Sequence, residues 1–343
     1  MKALVKEKEG FGHLHVQDVK EPSPSENEVK IEVKYAGICG SDLHAYEGNY
    51  KVKTPVILGH EFSGVVVETG ENVTECKPGD RVTSETTYSI CGECKYCRSG
   101  DYNLCNHRIG LGSKQDGGYT NYLIAKKESV HVLPEEVDFK SASLTEPLAC
   151  ACHAVEKADI KEEDVVVVLG PGPIGLLTAQ VAKSKGAAVI MTGLSHDHPR
   201  LKKAEELGVE EAVNIEEQDI KEVVHRYTSG YGADIVFECT GAVPAANTGL
   251  DLLVKKGQFV QVGIFPEAAI SLNVSAIIQK EIQFTGSRSQ KPADWEPSLD
   301  LMRRGEVDTT SLITHEFDIT QWDEAYDAIK NGGGIKVILT PAE

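Results

Sequence analysis

Four cysteines, Cys91, Cys94, Cys97 and Cys105, stand in the run C-G-E-C-K-Y-C-R-S-G-D-Y-N-L-C. Thiols at spacings of three, three and eight can converge on one tetrahedral ion, and thiolates in that geometry favour zinc. Gly92, Gly100 and Asn103 allow the tight turns that such a knuckle needs. The alternative is two disulfides, but those frameworks belong to short secreted chains, and this chain is long and opens without a secretory signal. A closed four-sulfur site has no open position, so it stabilises a lobe, and the chemistry is expected elsewhere.

A second constellation is Gly170-Pro171-Gly172-Pro173-Ile174-Gly175, a G-x-G-x-x-G loop between a buried apolar run and a helical pattern. Gly170 permits the tight turn, Gly172 lets a pyrophosphate approach the backbone, and Gly175 lets helix and sheet pack closely. The helix N-terminus, with Pro173 and Ile174 in its first turn, supplies free N–H groups and a positive dipole end. A carboxylate about twenty residues on would bind the adenosine ribose of NAD. Gly193 stands there instead, and Arg200 follows amid His196 and His198. NAD and NADP both remain open, and the missing acid tilts the expectation toward NADP.

In the first half, Cys39-Gly40-Ser41-Asp42-Leu43-His44 and Gly59-His60-Glu61 each precede or follow a strand-like run, and Glu146 stands in Thr145-Glu146-Pro147-Leu148. Cysteine, histidine and carboxylate are all good zinc donors. Singly, each has a plainer role: Cys39 as a small buried hydrophobe, His60 as a satisfied polar residue, Glu146 as a helix-start acid. The order of these motifs, with the knuckle, Asp116-Gly117-Gly118-Tyr119 and the 170–175 loop, resembles the zinc-containing medium-chain alcohol dehydrogenases. Within them the chain looks most like the polyol branch of sorbitol (L-iditol) and L-threonine dehydrogenases.

That resemblance covers essentially the whole chain. It implies an α/β molecule: a GroES-like, mostly β catalytic domain from residues 1–147 and 287–343, holding both zinc sites, around a doubly wound Rossmann domain over 148–286. It implies a catalytic zinc on Cys39 and His60, with Glu61 and Glu146 as ligands direct or through water. Asp42 would hold the ligating imidazole, the arrangement that sets a histidine's tautomer. Ser41 and His44 would begin and end a proton relay that runs through the nicotinamide ribose hydroxyl. The implied reaction is hydride transfer from a secondary alcohol or polyol to NAD(P), with zinc as Lewis acid. Oxidation of (R,R)-2,3-butanediol or L-threonine is the alternative on the same scaffold. A nucleotide-binding sensor without turnover would have no reason to keep the relay, and a zinc-free quinone reductase should lack the knuckle. The family implies a homotetramer or homodimer. The substrate pocket departs from the sorbitol dehydrogenase pattern: Ala45 and then Tyr46 follow His44, and Arg288 is out of register after Gly286. Tyr46, Arg288 and Trp295 are candidate pocket residues, with a core role open for Trp295.

Elements must position these residues. Glu28–Ala36 alternates strictly, so Val29, Ile31, Val33 and Tyr35 are expected on one face of a half-buried strand. Val165–Leu169 is continuously apolar, the mark of a strand buried on both faces. Strand and helix patterns then alternate to Gly286, which predicts a parallel sheet with helices on both faces. Amphipathic helices near Trp295–Arg304 and Trp322–Asn331 and a strand at Lys336–Leu339 are expected to return to the first lobe.

Length and composition bound the rest. The 343 residues suggest about two domains. A net charge of −18 disfavours nucleic acid and anionic membrane as partners. No apolar run approaches the roughly 18 residues of a membrane span. Nine cysteines, most with metal-ligand spacing, and an opening Met1–Lys6 without an apolar core point to a reducing, cytoplasmic location.

Overall fold

In the computed structural model, which describes residues 1–331 and 333–342, the chain divides into two units. The first comprises Met1–Ala149, Gln290–Arg303 and Thr309–Glu343. The second comprises Cys150–Ser289 and Arg304–Asp308.

The second unit is built on a six-stranded parallel sheet in the order Glu211–Asn214, Ala188–Gly193, Val165–Leu169, Ala233–Glu238, Leu253–Gln261, Gln283–Gly286. The sequence steps outward from Val165–Leu169 in one direction and then in the other, which is the doubly wound order. Val165–Leu169 lies inside the sheet and all five of its residues are buried, which is why it reads as an unbroken apolar run. Helices Pro173–Ser184, His198–Glu206, Ile220–Tyr227 and Val243–Leu252 connect the first five strands. The apolar sides of Ile220–Tyr227 and Val243–Leu252 join a core with Val167, Val236 and Phe259 of the sheet.

The first unit is centred on Glu28–Gly37, which pairs antiparallel with Glu61–Thr69, Tyr122–Lys126 and Lys336–Thr340 in a seven-stranded sheet. The strand is more deeply buried than its alternation predicts, since Glu28 and Lys30 are buried along with Val29, Ile31 and Val33. Both charges are compensated: Lys126 Nζ donates to Glu28 Oε1 at 2.9 Å, and Lys30 pairs with Glu21. The chain's last strand, Lys336–Thr340, joins this sheet between Glu28–Gly37 and Ile313–Asp318. Pairing of Ile338 with Gly37 and of Gly37 with Glu61 brings the C-terminal strand beside the start of Glu61–Thr69.

Candidate active site and metal centres

Cys39 leaves the end of Glu28–Gly37 and caps the helix Gly40–Glu47. Glu61 opens the neighbouring strand, Glu61–Thr69, and His60 stands just before it. Strand pairing therefore brings together residues distant in sequence, and the ligand atoms of Cys39, His60 and Glu61 all lie within 4.8 Å of one another. That donor set suits a zinc ion with an open position.

Asp42 sits behind this group. Its Oδ2 accepts from Tyr119 Oη at 2.8 Å and from Cys39 N at 3.0 Å, and its Oδ1 accepts from Gly59 N at 3.4 Å. Oδ1 stands 3.7 Å from His60 Nδ1, which leaves Nε2 for a metal. Gly59 is required here: its φ is +89°, and a Cβ would lie 2.4 Å from the Tyr119 ring. Burial works against charge on His60, but Asp42 and then Cys39 outweigh it and raise the imidazole well above its ordinary value.

Lys336 is the group that no sequence pattern announced. It is 3% exposed, pairs with Glu61, and donates to Ile38 O at 2.8 Å. Gly37 makes room for the pair, since a Cβ there would meet Glu61 Oε2 at 2.3 Å and Lys336 Cε at 3.0 Å. Burial pushes the Glu61 carboxyl above its usual range, Glu146 adds to this, and Lys336 opposes it.

Glu146 lies in the first turn of Thr145–Val155 and is buried. It stands outside the 4.8 Å group, yet its charge is felt by both Glu61 and Lys336. Thr86 Oγ1 donates to Glu146 Oε1 at 3.0 Å and Gln290 Nε2 approaches the same oxygen at 3.4 Å. Gln290 and Thr86 were invisible in sequence because neither belongs to a motif.

Ser41 is the second residue of its helix, so the cap role falls to Cys39. His44 is exposed, with Nδ1 3.4 Å from Glu47 Oε2. Of the pocket candidates, Trp295 is fully buried and stacks on His131. Tyr46 packs among Phe11, Trp322 and Tyr326, and Arg288 is exposed.

In the knuckle, sulfur separations are 3.8 Å for Cys91–Cys97, 3.4 Å for Cys94–Cys97 and 3.6 Å for Cys91–Cys105. Four sulfurs about 2.3 Å from one tetrahedral ion stand about 3.8 Å apart, so the cage fits zinc. All four are free thiols. Backbone N–H groups of Glu93 and Cys94 draw Cys91 down to about 6, whereas burial and then Cys94 push Cys97 up to about 12. Four sulfurs this close cannot all ionise without a cation among them.

In the second unit, Gly170–Gly175 turns from Val165–Leu169 into the helix Pro173–Ser184, with Gly172 as cap and Pro173 in the first turn. Gly170 has a φ of +98°, and a Cβ on Gly175 would lie 1.9 Å from Gly170 O. A Cβ on Gly172 would meet nothing within 4 Å, so the space over the loop is open where a pyrophosphate needs it. Gly193 ends the adjacent strand, and Arg200 on the following helix stands 3.6 Å from Asp197.

The Alcohol dehydrogenase GroES-like domain family matches residues 25–135, and the Zinc-binding dehydrogenase family matches residues 173–304. The chain belongs to the zinc-binding alcohol dehydrogenases. It is 61% identical to the sorbitol dehydrogenase of Halalkalibacterium halodurans across 100% of both chains. It is 46% identical to the D-arabitol-phosphate dehydrogenase of Enterococcus avium, over 99% of this chain and 97% of that one. A zinc-binding dehydrogenase of Sinorhizobium meliloti, solved bound to NADP, superposes with a TM-score of 0.93 at 30% identity, covering 99% of each chain. The protein is thus an NAD(P)-dependent alcohol oxidoreductase with a GroES-like and a Rossmann-like domain. No helix among the described residues is long and apolar enough to cross a membrane.

Proposed function

We propose that this protein reversibly oxidises a secondary hydroxyl of sorbitol or a closely related polyol to a ketone. The observation that carries the proposal is the Cys39–His60–Glu61 group, backed by Asp42, in a chain 61% identical throughout to a sorbitol dehydrogenase. When bound, zinc would supply Lewis acidity to the substrate oxygen and the dinucleotide would supply the hydride acceptor.

The chain's own residues do the rest. Cys39 and His60 hold the ion, and Glu61 and Glu146 are the carboxylates available to complete its shell. Asp42 keeps the His60 ring turned with Nε2 inward. Lys336 neutralises Glu61, so that the site does not gather uncompensated negative charge. Ser41 takes the alcohol proton, and His44 passes it to water. The exposure of His44, 61% at the side chain, supports its place at the solvent end. Cys91, Cys94, Cys97 and Cys105 would hold a second zinc, which would brace the lobe. Gly170, Gly172, Pro173, Ile174 and Gly175 cradle the pyrophosphate. A cytoplasmic homotetramer or homodimer is part of the same proposal.

Metal analysis is expected to find about two zinc ions per chain. Cys39→Ser is expected to keep about one, to melt within a few degrees of the parent, and to lose at least ~10³-fold in kcat/KM for sorbitol. Normal oxidation by that variant would remove the catalytic assignment. A panel with (R,R)-2,3-butanediol and L-threonine separates the polyol reading from its neighbours.

A further inference from the structure

The space beyond Ala188–Gly193 decides which dinucleotide the protein takes. In a βαβ unit of this kind the adenosine ribose lies past the end of the second strand, where an acid binds the 2′-hydroxyl or a base binds a 2′-phosphate. Gly193 cannot be replaced by an acid without movement: a Cβ there would meet Pro171 Cγ at 3.0 Å, Asp197 Cβ at 3.1 Å and Leu201 Cδ2 at 3.2 Å.

An acid reaches this place from the next strand instead. Gly193 pairs with Asn214, and Ile215 N donates to Gly193 O at 3.0 Å. Asn214 Nδ2 donates to Ser195 Oγ at 3.1 Å, so the two strand ends are clamped together. At their junction Ser195 N donates to Glu216 Oε2 at 2.8 Å. Glu216 is exposed, and the Ser195 hydroxyl and then this N–H hold its carboxyl below the usual range. The base that favoured NADP in sequence is also occupied, since Arg200 stands 3.6 Å from the largely buried Asp197.

We infer that Glu216 is the residue that selects NAD over NADP in this protein, an inference that rests on the dinucleotide reading of the 170–175 loop. Two effects act together. The carboxylate occupies the Ser195 N–H, a donor that a 2′-phosphate would need. A phosphate of charge near −2 would also stand beside a fixed negative charge.

The test is binding rather than turnover. Wild-type protein and Glu216→Gln are titrated with NADH and with NADPH, following nicotinamide fluorescence. Wild type is expected to bind NADH at least ~10-fold more tightly than NADPH, and Glu216→Gln to shrink that ratio at least ~5-fold by tightening NADPH. Equal or tighter binding of NADPH by wild type overturns the inference, as does an unchanged ratio in the variant. Failure of wild type to bind either nucleotide overturns the dinucleotide reading itself, and this inference with it.

Discussion

Asp42 shows how one buried side chain can serve three neighbours at once. Tyr119, Cys39 and Gly59 each donate to it, and its remaining direction faces His60. Burial pushes the carboxyl up, but His60 above all, and then Cys39 N and Tyr119, hold it below its ordinary value. Asp42 is therefore favoured as an anion and is a rigid guide for the imidazole. Asp42→Asn keeps the shape but loses the charge. We expect it to lower kcat/KM by about 10- to 100-fold and to weaken zinc retention on dialysis. A variant with full rate and full zinc content would show that His60 needs no guide. Sequence spacing put Asp42 near His60 only through family likeness, and it said nothing of Tyr119 Oη as a donor. The partners stand 18 and 77 residues away from Asp42 along the chain and meet only in the folded unit.

At the scale of elements, Glu28–Gly37 matters most, because Cys39 hangs from its end and Glu61 and Lys336 flank it on the paired strands. Its polar face is tied down at Glu28, which accepts from Lys126, Tyr88 and Ser25 N. These bonds outweigh burial and draw the carboxyl down from 4.5 to about 2. A folded value below the unfolded one stabilises above the unfolded value, and that contribution fades as pH falls from about 4.5 toward 2. Glu28→Gln is expected to cost on the order of 2 kcal/mol in urea melts at pH 7, with the gap between the two proteins narrowing below about pH 4.5 and closing only near pH 2. A gap independent of pH would exclude this linkage. Strands whose pattern is self-sufficient were legible: Val165–Leu169 stands where its residues predict. Ile313–Asp318 was not, because its polar alternation, I-T-H-E-F-D, gains meaning only from its pairing with Lys336–Thr340.

At the scale of the whole molecule, chemistry is divided by unit. The side-chain groups that could hold a metal belong to the first unit and the G-x-G-x-x-G loop to the second. Removing metal is accordingly expected to spare the dinucleotide. After treatment with a strong chelator, alcohol oxidation should be lost while the Kd for NADH stays within about threefold, read by fluorescence titration. Parallel loss of NADH binding would mean that the second unit does not keep its fold without metal in the first. The first unit also draws on both ends of the chain, since the strand that carries Lys336 lies beside Glu28–Gly37.

The sequence alone determined the alternation of strand and helix, the four-sulfur knuckle and the phosphate loop, because each is local: spacing within a short run dictates which side chains or N–H groups converge. It also identified Cys39, His60 and Glu146 as candidate ligands through chemical type and family order. Only the tertiary structure decided what surrounds them. Lys336 beside Glu61, Thr86 and Gln290 on Glu146, and Glu216 on the Ser195 amide are juxtapositions made by strand pairing and chain return. No periodicity records such contacts, since the energy of a buried charge or a shared hydrogen bond depends on partners far away in the chain.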